Sequence, residues 1–197
     1  SMVAGVEGCD AALFVGYHAK FGTARSSWDH TYSSACINKV EVNGVEVSEF
    51  LFNGYAAGDS KVPVMLVAGD AQLIDDDVKK HAPWAETVAM KCSLSRVSAM
   101  SRSMPKIEKA LREAVDRAVA KFKRNKIKLL MAERPVKMRV TFIATQFADV
   151  ASLLPSVKRL DGLRVEFTSK NMVEAYRTIE LLALAASGIS AILANVS

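Results

Sequence analysis

Two histidines and a glutamate near the amino end of the chain have the side-chain chemistry of metal ligands. His18 closely follows the apolar run 11–15, and a histidine at the end of a strand points into the crevice where open α/β sheets bind ligands. His30 lies close behind, in a chain with only three histidines. Glu49 falls where a first helical turn is expected, and the helix dipole favours a carboxylate there. Taken alone, the three residues leave two interpretations open: metal ligation, or ordinary packing and helix-end roles.

Local sequence signals predict the elements that would hold these residues. The run 11–15 predicts a strand that ends just before His18. Asn43-Gly44, flanked by alternating valines, predicts a two-residue β-hairpin because both residues tolerate the positive φ angles of a type I′ turn. Ser48 is then expected to be the N-cap of a helix from Glu49 to about Gly58.

Strand and helix signals alternate along the rest of the chain. The apolar run 62–67 predicts a doubly covered strand, and Asp70 is expected to be the N-cap of the following helix rather than a ligand. Residues 85–92 predict a further strand. The alternation favours an α/β fold with a largely parallel sheet flanked by helices, a β-hairpin and a smaller C-terminal α/β layer. We expect a metal-site α/β domain over residues 1–134 and a C-terminal α/β subdomain over residues 135–197.

Three further segments define the carboxyl half. Residues 103–125 predict a long amphipathic helix, and residues 136–143 and 163–167 predict half-exposed strands. The last predicted helix, from Met172 to about Ala186, is apolar on several faces, which suits a subunit contact.

The formal net charge of +5 comes largely from one face of the long helix. Nucleic-acid binding is not favoured, because Glu108, Glu113 and Asp116 interrupt the basic face and no aromatic residues accompany it. A solvated or oligomer-facing helix is the favoured interpretation. The run Asp75-Asp76-Asp77 is likewise expected to be a solvated helix face, since consecutive helical residues point in different directions and cannot chelate together.

Composition is typical of a cytoplasmic globular protein. The chain has 197 residues, of which 50% are hydrophobic and 24% charged, enough for one substantial core. We expect no membrane partner, because no apolar run approaches the roughly 20 residues that span a bilayer. The three cysteines show no CxxC pair and are expected to be buried thiols: Cys9, Cys36 and Cys92.

Several short motifs, in this order and approximate spacing, resemble the D-aminopeptidase (DppA-like) family of zinc peptidases over nearly the whole chain. No single motif is specific for this family, but a run of matches in the same order is specific for it. The matching residues are Gly16-Tyr17-His18-Ala19, Trp28-Asp29-His30-Thr31, Val42-Asn43-Gly44, Val47-Ser48-Glu49, Asn53, Ala57-Gly58, Val62-Pro63-Val64, Gly69-Asp70, Lys91, Ser95-Arg96, Arg134-Pro135 and Asn171-Met172-Val173-Glu174-Ala175-Tyr176.

The resemblance implies a metallo-aminopeptidase that uses two zinc ions to hydrolyse N-terminal D-amino acids from short peptides or amides. By position, His18 and Glu49 match zinc ligands, and His30 matches the catalytic histidine, as nucleophile or proton carrier. Two close dications can activate one water and polarise the scissile carbonyl, while a neutral imidazole exchanges a proton. The resemblance also implies ring-like homo-oligomers, such as decamers, that enclose their active sites.

The chain departs from the family in one respect. Family members begin with a strand that ends in an Asp-x-Glu-Gly motif and carry a further histidine on a later loop, and these supply most zinc ligands; neither is found here. His18 and Glu49 alone cannot build two sites, because a catalytic zinc keeps about three protein ligands and a water. We therefore expect either that another segment or chain supplies the remaining ligands, or that this is an incomplete member or fragment that acts in assembly or ligand binding. An amidase acting on other small substrates is a third possibility.

Overall fold

A computed structural model describes residues 2–194 of the chain. Strands and helices alternate over most of this range, with one π-helical segment between α2 and α3. The elements are β1 (Ala12–Tyr17), β2 (Ile37–Val42), β3 (Val45–Glu46), α1 (Glu49–Asp59), β4 (Val64–Asp70), α2 (Ala71–Leu73), the π-helical segment (Ile74–Val78), α3 (Lys79–His81), β5 (Glu86–Ser95), β6 (Ser98–Ser101), α4 (Met104–Lys123), β7 (Val136–Phe142), α5 (Thr145–Ala151), β8 (Lys158–Arg159), β9 (Arg164–Ser169) and α6 (Met172–Ala194).

Four strands form sheet A in the order β1-β4-β5-β6, with β1, β4 and β5 parallel and β6 antiparallel to β5. Every residue of β4 is buried, as expected for a central parallel strand with both faces covered. Helix α4 packs on one face through Ala114 and Ala118, which join Leu66, Ala68 and Val88 in a buried cluster. The carboxyl ends of the three parallel strands therefore meet at one edge of sheet A.

Five strands form sheet B in the order β3-β2-β7-β9-β8, and all neighbours are antiparallel. Along β7, buried residues alternate with more exposed ones, so one face is covered. Helices α5 and α6 pack on this sheet, with the rings of Phe142 and Phe147 6.3 Å apart.

The chain folds into two compact units, one around each sheet. It passes from one unit to the other near residues 29–30, 47–48 and 131–132, so the hairpin formed by β2 and β3 lies with sheet B. The hairpin belongs there because β2 pairs with β7, for example Val40 with Val140. The domain boundary between residues 134 and 135 stays a prediction.

The predicted fold class is confirmed, and so are the local turn and cap at the hairpin. Asn43 and Gly44 have φ angles of 51° and 82°, as a type I′ turn requires. The Ser48 side chain accepts a hydrogen bond from the Leu51 backbone N–H at 3.3 Å, which confirms the N-cap.

Three other predictions were wrong. Cys36 is buried, but Cys9 and Cys92 are exposed. Cys92 lies on β5, next to the edge strand β6 of sheet A. Asp77 is buried rather than solvated, because the π-helical segment changes which side chains point inward.

The third wrong prediction concerns the end of the last helix: α6 continues past Ala186 to Ala194. By length and composition α6 could cross a bilayer, although core helices of soluble proteins pass the same test. Its buried residues lie in the first two thirds of the helix, while Leu184 and Ile192 are exposed.

Candidate metal centre

The end of β1 is bent by a bulge at Gly16. Gly16 has a φ of 86°, and the pairing with β4 shifts register between Val15 and Tyr17. A bulge of this kind turns the following side chains away from the regular alternation of the strand. His18, the next residue after the strand, is thereby placed at the carboxyl edge of sheet A.

A second glycine brings β1 and β4 unusually close at this point. A Cβ atom at Gly69 would lie 2.1 Å from the carbonyl oxygen of Tyr17, a distance that no side chain tolerates. Any residue other than glycine would therefore push apart the two strands directly beneath His18.

The imidazole of His18 is oriented by the main chain. Its Nδ1 lies 3.0 Å from the carbonyl oxygen of Ala19, so we assign the proton to Nδ1, which donates to that oxygen. The Nε2 atom is left with a lone pair and faces the carboxylate of Glu49 at 3.9 Å. Histidine ligands of metals are commonly held in this way, with one ring nitrogen bonded to a carbonyl and the other directed at the ion.

Glu49 is the first residue of α1, and its side chain is only 10% exposed. The N-terminal end of the helix favours a negative charge there. One turn later, Asn53 donates a hydrogen bond to the Tyr17 hydroxyl at 3.0 Å. This bond joins α1 to the end of β1 beside His18 and Glu49, so the two candidate ligands rest on elements that are fastened together.

His30 directly follows the Trp28-Asp29 pair. Ligand atoms of His18, His30 and Glu49 all lie within 4.8 Å of one another, and each residue is buried or half-buried. The three residues predicted from the sequence are thus brought together, and they form the one such group of histidine, cysteine or acidic residues in the described chain.

Asp29 is held by two segments of the same unit. Gly22 N–H donates to its Oδ2 at 2.6 Å, and the Nη1 of Arg96 donates to its Oδ1 at 2.5 Å and to its carbonyl oxygen at 2.8 Å. Trp28 N–H in turn donates to the Arg96 carbonyl oxygen at 3.0 Å. The residues before His30 are therefore bonded to the turn between β5 and β6.

Asp70 has a structural role, as its N-cap position indicated. Its Oδ1 accepts from Gln72 N–H at 3.1 Å, and its Oδ2 accepts from the Ser93 hydroxyl and, at 3.4 Å, from Ser27 N–H. This fully buried carboxylate joins the carboxyl ends of β4 and β5 to the loop that leads to His30.

Asp77 binds the loop that follows His18. Its Oδ1 accepts a hydrogen bond from Lys20 Nζ at 3.2 Å. Burial, together with the negative charge of Asp77, raises the pKa of the Tyr55 hydroxyl. The π-helical segment therefore points one carboxylate of the acidic run into the unit, where it fixes a loop next to a candidate ligand.

Comparison with known proteins identifies the family. A family model described as D-aminopeptidase matches residues 1–181. The chain belongs to the D-aminopeptidase family. The resemblance seen in the short motifs is thus confirmed over most of the sequence.

Two members of the D-aminopeptidase family give the scale of the similarity. D-aminopeptidase from Bacillus subtilis (strain 168) is 33% identical over 183 residues, which cover 88% of this chain. The chain spans 64% of the length of that relative. The solved structure of the Zn-dependent D-aminopeptidase DppA from Bacillus subtilis, described as a self-compartmentalizing protease, superposes with a TM-score of 0.88 at 29% identity and covers 95% of this chain and 67% of that one.

Sequence reasoning missed the residues that support the three candidates in this D-aminopeptidase family member. Asp29 and Arg96 were noticed only as parts of matching motifs, and Tyr17 and Asn53 had no assigned role. An acidic residue directly before a candidate histidine was a usable signal. Its arginine partner comes from a turn far away in sequence, and no local pattern indicates such a pair.

Proposed function

We propose that this protein is a zinc-dependent aminopeptidase that removes N-terminal D-amino acids from short peptides or amides. In this proposal His18 and Glu49 are zinc ligands and His30 is the catalytic histidine. The observation that carries the proposal is the pairing of His18 Nε2 with the Glu49 carboxylate at 3.9 Å in a chain of the D-aminopeptidase family. The solved relative is named as zinc-dependent, which supports the choice of metal.

The donor set fits zinc. Imidazole nitrogen and carboxylate oxygen are common zinc ligands, with bonds of about 2.0–2.2 Å, so two atoms on one ion lie at most about 4.3 Å apart. The separation of 3.9 Å between His18 Nε2 and Glu49 Oε2 is within this limit. It is too long for a hydrogen bond, which suits a pair that shares an ion.

Each residue has a separate task in the proposed reaction. When bound, zinc supplies Lewis-acid activation of water and of the scissile carbonyl. The Ala19 carbonyl holds the His18 ring in one orientation, and the amino end of α1 supports the negative charge of Glu49. His30 accepts a proton from the attacking water and returns it to the leaving amine, a role suited to an imidazole because its ring nitrogens can both accept and donate a proton.

The number of zinc ions is part of the proposal. The resembled family uses two, and a second ion needs ligands beyond His18, His30 and Glu49. We infer that those ligands come from another segment or another subunit. The alternative is a catalytically incomplete protein that retains assembly or ligand binding.

Zinc stoichiometry tests the proposal directly. After dialysis against metal-free buffer, the purified protein is titrated with zinc, and bound metal is measured by mass spectrometry for the wild type, His18→Ala, Glu49→Gln and His30→Ala. His81→Ala serves as the control because His81 lies outside the cluster. Tight zinc binding by the wild type and His81→Ala, lost in His18→Ala and Glu49→Gln, is the expected result.

His30→Ala separates two roles for that residue. Retained zinc with kcat for D-alanine p-nitroanilide lowered about 10²- to 10⁴-fold would support proton transfer. Loss of zinc would make His30 a third ligand of a single ion instead. A wild-type protein that binds no zinc and hydrolyses no D-amino-acid amide would overturn the proposal and favour the incomplete member.

We also propose that the protein works in the cytoplasm as a homo-oligomer, ring-like as in the resembled family. The solved relative is described as self-compartmentalizing. Exposed apolar residues on α6 support a subunit contact on that helix: Leu181, Leu184, Ile192 and Leu193. Light scattering on the wild type and on Leu184→Lys measures the oligomeric state. A wild type that remains monomeric at all concentrations would contradict the proposed homo-oligomer.

A further inference from the structure

The turn between β5 and β6 is bonded to the segment that carries His30. Arg96 occupies this turn, and it makes three hydrogen bonds to Trp28 and Asp29: two through its Nη1 and one through its carbonyl oxygen. A further bond runs from Gly22 N–H to the Asp29 carboxylate. The residues immediately before His30 are therefore fixed by one distant side chain and one nearby loop.

The Asp29 carboxylate needs these partners because it is buried. Its side chain is 7% exposed, whereas that of Arg96 is 46% exposed. A buried carboxylate that loses a charged donor retains the cost of desolvation without the bond. Asp29 is thus expected to move or to draw in water when the Arg96 side chain is removed. His30 is the next residue in the chain, so a shift of Asp29 would move its backbone as well.

The backbone around His30 is in an uncommon conformation. Trp28 and Tyr32 have φ angles of 57° and 65°, in the left-handed region that residues other than glycine rarely adopt. Such conformations persist only where surrounding contacts hold them, and they are concentrated at functional sites. The Arg96 bonds supply contacts of this kind on the amino side of His30.

We propose that Arg96 is a positioning residue for His30 and acts through Asp29. The inference rests on the proposed function, because it takes His30 as the group that transfers the proton. Arg96 itself has no place among the ligand atoms. Its role is to fix the backbone of residues 28 and 29, so that the imidazole of His30 is held in one place.

A merely structural ion pair would behave differently. If the Arg96–Asp29 pair only stabilised the fold, its loss would lower the unfolding temperature and leave kcat per folded molecule unchanged. If it positions His30, its loss lowers kcat with zinc content and KM unchanged, and the effect disappears once His30 itself is removed.

The experiment is a double-mutant cycle between Arg96→Gln and His30→Ala. Zinc content, kcat and KM for D-alanine p-nitroanilide are measured for the two single variants and the double variant. Arg112→Gln is the matched control, since it also removes an arginine paired with a carboxylate, here Glu108 on the surface of α4. Arg96→Lys, which keeps the charge but loses the planar fork, gives a second and milder variant.

The expected result is a kcat about 10- to 100-fold lower in Arg96→Gln, the range found for residues that orient metal-site ligands. Arg96→Lys should recover part of the loss, and Arg112→Gln should match the wild type. Adding Arg96→Gln to His30→Ala should cause no further loss. An unchanged kcat in Arg96→Gln, or an equal loss in the His30→Ala background, would overturn the proposal.

A measurement without turnover separates this proposal from the proposed function. In protein labelled at histidine, the ring signals of His30, assigned with His30→Ala, are compared between the wild type and Arg96→Gln by NMR. Shifted or broadened His30 signals, with those of His81 unchanged, are expected even if the protein proves inactive. Unchanged His30 signals would refute positioning by Arg96, whereas absent hydrolysis by the wild type refutes only the proposed function.

Discussion

Charged residues are arranged differently on the two sheets of this protein. On sheet B, Glu41, Arg139 and Glu166 lie directly opposite one another on three neighbouring strands, and Arg139 Nη2 is 3.0 Å from the Glu166 carboxylate. Opposite charges on facing positions attract one another and stabilise the pairing of the strands. At the carboxyl edge of sheet A, His18 and Glu49 face each other without a hydrogen bond.

A further ion pair shows that position on the sheet decides the difference. Glu86 lies at the amino end of β5, also in sheet A, and is bonded by Arg117 and Lys121 at 2.8 and 2.7 Å. Those groups form ion pairs with one another, as on sheet B. The candidate metal ligands lie instead where the parallel strands end, at the edge where open α/β sheets bind their ligands.

The largest effect is expected when one glutamate is replaced in each region. Glu49→Gln should abolish zinc binding and lower kcat by more than about 100-fold, the upper loss found for residues that merely support a ligand. Glu166→Gln should leave both unchanged and cost at most about 1 kcal/mol of unfolding free energy, because the pair is partly exposed. Metal analysis, kinetics and urea unfolding compare the two; equal effects on kcat would remove the distinction between the regions.

A second pair of substitutions tests the close approach of β1 and β4. Gly69→Ala forces a Cβ atom against the Tyr17 carbonyl oxygen and should cost about 1–3 kcal/mol, as overpacking does. Gly188→Ala on α6, where no atom lies within 4 Å of the added Cβ, should instead stabilise by about 0.5–1 kcal/mol. Thermal unfolding measures both. A Gly69→Ala protein as stable as the wild type would show that β1 can shift without cost.

The smallest effect concerns acid stability. Partial burial alone would raise the pKa of Glu86, but hydrogen bonds from Lys121 and Arg117 hold it below its ordinary value of 4.5. Bonds from Lys137 and Arg139 likewise outweigh burial and lower the pKa of Glu166. A carboxyl with a lower pKa in the folded state stabilises the fold above its unfolded pKa, and this contribution is lost as pH falls through the folded value.

Unfolding free energy should therefore decline as pH falls below about 4.5, and Glu86→Gln should make the decline shallower. Asp75→Asn is the control, since the Asp75–Lys79 pair is exposed on a helix. Urea titrations between pH 3 and 6 measure the slopes. Identical slopes for the wild type and Glu86→Gln would show that these bonds are equally present in the unfolded chain.

The sequence predicted those features that depend on neighbouring residues. Asn43-Gly44 determines the hairpin turn, Ser48 the start of α1, and the apolar run ending near Val67 the buried strand β4. All three signals act within a few residues, so the physical cause lies in the segment itself. The π-helical segment escaped prediction because Asp75, Asp76 and Asp77 have no local feature that distinguishes a π-turn from an α-helical one.

The candidate site was predicted only as far as its three candidate residues. His18, His30 and Glu49 were identified from residue type, position and resemblance, and the structure brings them together. The support around them depends on pairs distant in sequence: Arg96 with Asp29, and Asn53 with Tyr17. Such pairs leave no spacing in the sequence that could be recognised without the fold.

The segment between His30 and Glu49 has a consequence for how the protein can be divided. These residues leave the unit of sheet A, form β2 and β3 beside β7, and return to begin α1. A polypeptide that stopped near residue 131 would retain β2 and β3 but lose β7, the other strand that pairs with β2, leaving an edge of unpaired backbone groups and apolar side chains that favours aggregation. Neither unit is one continuous stretch of chain, so a single cut or crossover point cannot separate one unit without dividing the other.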